Sequence, residues 1–253
     1  MESKKWRKNM KVEKVALITG ASRGIGEAIA HAFANAGYAL ALCCRNHMED
    51  LERLRDTLLE QYDIPVLIYR ADVADSAAVN EMVASVQAQW GQIDVLVNNA
   101  GISMVGLLQD MTDEEWNRIV QTNLSSVFYT SRAVIPSMIG RKCGQIIQIS
   151  SVWGKVGASC EVAYSATKGG VNAFTRALAK ELAPSHICVN AIACGAIDTQ
   201  MNGHLSAEEK ADLAEEIPMG FGTPEAVAEA VLRLTEMPEY LTGQVISLDG
   251  GWI

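Results

Sequence analysis

The stretch KVALITGASRGIGEAIAHAFANA, residues 14–36, decides the fold. It opens on KVALIT (14–19), whose apolar run over 15–18 has no polar alternation and reads as a buried strand. Strands that read this way are buried on both faces of a parallel sheet. A glycine-rich turn follows: Thr19, Gly20, Ala21, Ser22, Arg23, Gly24, Ile25, Gly26. Beyond it Ile25, Ile29 and Phe33 recur at helical spacing. Strand, glycine turn and helix together make the first half of a βαβ unit.

Working outward, the same rhythm repeats. Strands are expected at 38–44, 65–70, 93–97, 144–150, 186–193 and 244–248. Helices are expected at 48–61, 76–90, 112–138, 162–182 and 224–236, with Leu51, Leu54 and Leu58 on one face of the first. Right-handed crossovers then give one doubly wound, Rossmann-like α/β domain over 12–253, with seven parallel strands. The polar, glycine-containing stretch 195–222 interrupts the rhythm. It falls at the carboxyl end of the sixth strand, where a substrate lid is expected.

Composition sets outer limits. The chain has 253 residues, 49% of them hydrophobic and 20% charged, which is ordinary for a globular protein. The net charge of −9 argues against nucleic acid as a partner, because such binding needs a basic face. No apolar run is long enough to cross a bilayer as a helix. Residues 1–11 carry Lys4, Lys5, Arg7, Lys8 and Lys11. They read as a disordered basic extension, without the apolar core of a signal peptide. The cysteines Cys43, Cys44, Cys143, Cys160, Cys188 and Cys194 form no C-x-x-C pair, and reduced thiols in a cytoplasm are expected. His31, His47, His186 and His204 are too scattered for a zinc site, and G-x-S-x-G is absent.

The glycine turn is spaced G-x-x-x-G-x-G, at a helix N-terminus whose free N–H groups suit a phosphate. It is neither the usual G-x-G-x-x-G fingerprint nor a P-loop. The second strand ends Cys43-Cys44-Arg45-Asn46 with no acid to hold a ribose 2′-hydroxyl. Arg45, with Arg23 in the turn, suits a 2′-phosphate instead, which favours NADP(H) over NAD(H).

A second group of residues carries chemistry. The fifth strand ends at Ser150-Ser151, with Tyr164 thirteen residues beyond Ser151 and Lys168 four beyond Tyr164. At i, i+4 the last two share a helix face. An ammonium beside a phenol favours the phenolate, so Lys168 is expected to lower the Tyr164 pKa. A phenol so tuned exchanges a proton with a carbonyl or an alcohol, and Ser151 could hold the carbonyl oxygen.

These residues resemble a family. From Val12 onward the chain is similar to the classical short-chain dehydrogenase/reductases. The matching pieces are TGASRGIG (19–26), DV (72–73), NNAG (98–101), TNLSS (122–126), Ser151, YSATK (164–168), NAIACGAIDT (190–199) and TGQVISLDGG (242–251). Within the family it looks most like bacterial 3-oxoacyl-(acyl-carrier-protein) reductases, which use NADPH. The resemblance implies Tyr164 as general acid/base, Lys168 on the nicotinamide ribose and Ser151 on the substrate carbonyl. It implies that Asn123, in a bend of the long helix, holds a relay water. Asp72 and Val73 would touch the adenine, while Asn99, Ala100 and Gly101 would line the cofactor cleft. Ile197 and Thr199 would bind the carboxamide. It also implies a homotetramer, closed through the last strand and through helices 112–138 and 162–182.

One departure stands out. Cys194-Gly195 replaces the family's Pro-Gly, which leaves that turn freer and places a thiol beside the cleft. In the family the segment between Ser151 and Tyr164 walls the substrate pocket. Here it supplies an apolar Trp153, and a Glu161 suited either to a cationic group or to the helix dipole. The run W-G-x-x-G-A-S-C-E-V is also similar to reductases of the aminoketone modification on bacterial elongation factor P. Arg132, Arg141 and Lys142 are the candidate docking patch for an acidic carrier protein. A non-catalytic NADP(H)-binding regulator is the reading from another class.

Overall fold

The computed structural model describes residues 12–203 and 205–253. The basic arm read at 1–11 lies outside the described residues. Seven parallel strands run in the order β3-β2-β1-β4-β5-β6-β7. They are β1 Val15–Thr19, β2 Ala39–Cys44, β3 Val66–Arg70, β4 Val95–Asn98, β5 Gly144–Ser151, β6 Ile187–Cys194 and β7 Val245–Leu248. Every residue of β1, β2, β4 and β6 is buried, as their largely apolar sequences lead one to expect.

Helices cover both faces. α1 Gly24–Asn35, α2 Met48–Gln61 and α9 Pro224–Glu236 pack on one side around Ile29, Phe33, Leu51 and Val231. α3 Ser76–Trp90, α5 Ser126–Arg141 and α7 Val162–Leu182 pack on the other around Val83, Val134, Met138 and Leu178. The chain steps from β1 through β2 to β3, then returns to place β4 on the other side of β1. The crevice where the order reverses, beyond the carboxyl ends of β1 and β4, is where a doubly wound sheet binds ligands.

Two expectations needed correction. The long helix read at 112–138 is three pieces: α4 Asp113–Val120, a π-helical turn Gln121–Ser125, and α5. A π turn carries one residue more than an α turn, and such bulges gather at functional sites. Stretch 195–222 is not wholly irregular either. It holds α8 Ala207–Glu216, entered through a capping box in which Ser206 and Glu209 satisfy each other's backbone N–H groups. Polar residues dominate α8, so apolar periodicity gave no sign of it, although S-x-x-E stands in the sequence.

Candidate active site

The glycine turn folds as it does because two of its glycines have no room for a side chain. Gly20 has φ +63, and a Cβ there would lie 2.8 Å from the Ala100 Cα. At Gly26 a Cβ would meet the Gly20 carbonyl oxygen at 2.3 Å. Asn99 fixes the turn from the neighbouring strand end, with Nδ2 donating to the carbonyls of Thr19 (3.0 Å) and Gly20 (2.9 Å). The Thr19 hydroxyl oxygen accepts from the backbone N–H groups of Asn99 and Ala100. Asn99 therefore serves as a brace under the turn as well as a wall of the cleft.

In front of this turn lies a cavity of about 730 Å³. Gly20, Ser22, Arg23, Gly24 and Ile25 of the turn line it, together with Arg45, Asn46, Asp72 and Val73. Ala100, Gly101 and Thr199 line it too, whereas Ala21 is wholly buried, its N–H bonded to the Cys43 carbonyl (3.0 Å). Arg45 reaches Asp72 at 3.4 Å, both half-exposed. Asp72 also accepts the Ala74 N–H, so this carboxylate holds its own loop and the arginine together. The cleft fits an extended nucleotide. Helix α1 points its N-terminus at it, the glycines let phosphate approach the backbone, and cations stand where the β2 end lacks an acid.

A second cavity of about 580 Å³ adjoins the first, and Ile25, Asn99, Gly101, Ser103, Thr199 and Met201 line both. Ser151, Tyr164 and Lys168 meet in it. Ser151 ends β5, and its Oγ accepts at 3.2 Å the N–H of Trp153, which opens the one-turn helix α6 Trp153–Val156. Tyr164 enters on the first turn of α7, near enough for the Ser151 hydroxyl to favour its phenolate. Lys168 lies one turn on, with Nζ donating to the Ile149 carbonyl (2.8 Å) and sitting 5.6 Å from the Tyr164 ring centre.

Asn123, 1% exposed, occupies the π turn. Its Oδ1 accepts the Ile102 N–H at 2.8 Å, and its Nδ2 donates to the Ile102 carbonyl (2.8 Å) and the Thr167 hydroxyl (3.3 Å). Its side chain thus clamps the loop after β4 to α7. Gly101 leaves the approach open, since a Cβ there would sit 3.3 Å from Asn123 Oδ1 and 3.7 Å from Lys168 Nζ.

The electrostatics depart from the sequence reading. Burial pushes the Tyr164 phenol well above its ordinary value. The Ser151 hydroxyl works against that shift, while Cys194 and Glu161 add to it. The Lys168 ammonium donates to the Ile149 carbonyl, and burial outweighs the lowering expected of a neighbouring cation. Burial also lowers Lys168 to about 8, with Cys194 opposing. Cys194 itself is pushed up to about 12 by burial, the opposite of a reactive thiol. It closes β6, and its carbonyl accepts the Val152 N–H at 2.9 Å.

The remaining residues fall into place unevenly. Trp153 and Glu161 line the second cavity, and Glu161 accepts a hydrogen bond from Ser103 (2.9 Å). Ile197 and Thr199 lie across from the glycine turn, with Thr199 Cγ2 3.5 Å from where a Gly24 Cβ would be. Glu216 at the end of α8 and Trp252 near the C-terminus also wall the cavity. Neither stands in a motif that would have marked it. Of the candidate docking patch, Arg141 is committed elsewhere. It donates to Asp94 and to the Ile93 carbonyl (both 2.6 Å), at the amino end of β4 and away from the cleft. Lys142 sits beside it as the C-cap of α5, and only Arg132 remains, stacked 4.6 Å over Phe128.

A profile of the short chain dehydrogenase family matches residues 14–210. The chain belongs to the short-chain dehydrogenases. An uncharacterized oxidoreductase, YmfI, of Bacillus subtilis is 39% identical over 95% of this chain and 99% of the relative. The 3-oxoacyl-[acyl-carrier-protein] reductase FabG of Staphylococcus aureus is 40% identical over 96% of this chain and 99% of its own. The crystal structure of a 3-oxoacyl-[acyl-carrier protein] reductase from Brucella melitensis superposes with a TM-score of 0.89. It is 36% identical and covers 96% of this chain and 92% of that one. This short-chain dehydrogenase is therefore an oxidoreductase of a family that binds a nicotinamide cofactor, and 3-oxoacyl-(acyl-carrier-protein) reductases are among its relatives.

Proposed function

We propose that the chain is an NADP(H)-dependent carbonyl reductase that delivers the proton from Tyr164. The observation that carries this reading is the buried Ser151–Tyr164–Lys168 group in the second cavity, which shares Ile25, Asn99, Gly101 and Thr199 with the nucleotide cleft. The bound cofactor supplies the hydride for the substrate carbon. Ser151 holds the carbonyl oxygen against the phenol, and that positioning supplies much of the rate. Tyr164, held protonated by burial, donates to the oxygen as charge develops there. Lys168 keeps a positive charge beside the phenol below about pH 8. Asn123 fixes the Ile102 loop, and the role we assign it is to hold a water that passes the proton on. Arg23 and Arg45 hold the 2′-phosphate of NADP(H).

The substrate we assign is a 3-oxoacyl thioester, on the strength of the 3-oxoacyl-(acyl-carrier-protein) reductases among the relatives. A second reading has a specific observation behind it. Glu161 and Glu216 both face the substrate cavity, which suits a ketone bearing an amine, as in the aminoketone modification of elongation factor P. We further assign a cytoplasmic homotetramer, in which segment 195–222 closes over substrate. All six cysteines are free thiols, and Trp116, Phe128, Val162 and Ile246 leave apolar surface on α4, α5, α7 and β7 for partner copies. Among the described residues no helix is long and apolar enough to cross a membrane.

The test is NADPH oxidation by wild type and Tyr164→Phe with a 3-oxoacyl thioester, with NADH run in parallel. Turnover with NADPH that disappears in the variant supports the reading. NADPH binding without thioester turnover moves the assignment to the aminoketone. Binding with no response to any carbonyl means a regulator. Sedimentation showing only monomer at micromolar concentration sinks the tetramer.

A further inference from the structure

The C-terminal turn is built more tightly than a chain end needs to be. The Gly195 N–H donates to the Leu248 carbonyl (2.9 Å), and a Cβ at Gly195 would lie 2.8 Å from the Asp249 Cα. Asp249 Oδ1 accepts the Gly251 N–H (3.1 Å), and the Asp249 carbonyl accepts the Trp252 N–H (3.2 Å). Met219, just past α8, donates its N–H to the Gly250 carbonyl (3.2 Å). Gly250 and Gly251 have φ +65 and +81, conformations that side-chain-bearing residues rarely hold. The turn is thus fastened to the end of β6, to the segment after α8, and to its own carboxylate.

Its product is a fixed indole. Trp252 is half-buried and meets Trp153 edge to face, with ring centres 4.8 Å apart and planes at 61°. Both rings line the cavity that holds Ser151 and Tyr164. Trp153 is also the residue whose backbone N–H holds Ser151 Oγ. The two indoles form an apolar corner two residues from the serine, while Glu161 and Glu216 supply polar wall to the same cavity.

We propose that Trp252 is a specificity-determining residue. With Trp153 it forms the wall against which the apolar substituent beside the substrate carbonyl packs, and it limits the bulk of that substituent. The assignment rests on the carbonyl-reductase reading, with Ser151 and Tyr164 on the carbonyl oxygen. The physical reason is close packing. A fixed ring pair leaves a set width, and each methylene that does not fit costs about tenfold or more in kcat/KM. Trp252 also steadies Trp153, so its loss loosens the Ser151 turn as a secondary effect.

The experiment uses the full-length protein, a series of methyl, ethyl, isopropyl and phenyl ketones, and the variants Trp252→Ala and Trp252→Phe. NADPH affinity is followed by protein fluorescence, and the coupled indole pair by the far-ultraviolet exciton band in circular dichroism. The expected result is a shift of about tenfold or more in the kcat/KM ratio toward bulky ketones in Trp252→Ala. That shift appears mainly in KM, NADPH affinity is unchanged, and the exciton band is gone. Trp252→Phe also loses the band but recovers most of the wild-type preference. An unchanged substrate ratio in Trp252→Ala, with the wild type active, overturns the wall assignment alone. An unchanged exciton band shows that the indoles do not meet, and overturns it too. A wild type that binds NADPH but reduces none of the ketones brings down the reductase reading together with the assignment.

Discussion

Replacing Gly26 with alanine tests the geometry of the cofactor turn directly. By helix propensity alone the change should stabilise α1 by roughly 1 kcal/mol. The structure predicts the reverse. The new Cβ would sit 2.3 Å from the Gly20 carbonyl oxygen, 2.6 Å from Asn99 Nδ2 and 2.9 Å from the Ala21 Cα. Two of those neighbours are backbone, so the turn itself must move. Overpacking of this kind costs about 1–3 kcal/mol. Displacing Asn99 weakens its bonds to the Thr19 and Gly20 carbonyls, about 1 kcal/mol each. After the propensity gain, the net loss is roughly 2–4 kcal/mol. For a chain of this size each kcal/mol lowers the melting temperature by about 2–4 °C. The expected drop is therefore about 5–15 °C, with weaker NADPH binding because the same backbone lines the cleft. Thermal unfolding and a fluorescence titration with NADPH read both effects. Gly140→Ala in α5 is the control, since a Cβ there meets nothing within 4 Å; it should gain up to about 1 kcal/mol. A Gly26→Ala protein that melts at or above wild type and binds NADPH equally well would falsify the close-approach argument.

Other consequences can be measured independently. Burial lowers Lys168 to about 8 from 10.5. Between those values the unfolded chain holds a proton that the folded chain has released, so this group makes stability rise with pH. Compared with Lys168→Met, wild type should gain roughly 2 kcal/mol between pH 8 and 9.5 in urea unfolding, and a constant difference would contradict the shift. Arg141→Met removes the charged partner of the largely buried Asp94, which keeps the N–H of Val15 and the amide of Gln92, and should cost about 2–3 kcal/mol. It should leave kcat/KM untouched, because the pair lies at the far end of the sheet, and an activity loss at full stability would move Arg141 into the site. Arg45→Ala should raise the KM for NADPH about tenfold and leave that for NADH nearly unchanged. Equal effects on both cofactors would mean that Arg45 serves only to hold Asp72.

How far each feature could be read in advance follows from the range of the forces involved. The strands and most helices were legible because burial on both faces writes long apolar runs, and burial on one face writes a helical period. Helix α8 was not, because its surface is polar and only its capping box marks it. The π turn at Asn123 was visible only as a motif. No local pattern distinguishes an extra residue in a turn from an ordinary helix, and the turn holds Asn123 where the Ile102 loop and Thr167 meet its side chain.

The amino-acid pattern settled the architecture, the glycine turn and the Ser151–Tyr164–Lys168 group, but not Glu216 or Trp252. Apolar runs and short spacings are local information, whereas Asn123 and the residues lining the cleft came from the family resemblance. The tertiary structure alone decided the rest. Burial raised Tyr164 where a neighbouring ammonium argued for lowering it, and raised the Cys194 thiol as well. It placed Arg141 at the wrong end of the sheet for docking, and brought Trp252 onto Trp153 across 99 residues of sequence. Desolvation and long-range contact depend on what surrounds a group in space, and that is settled only when the whole sheet has closed around it.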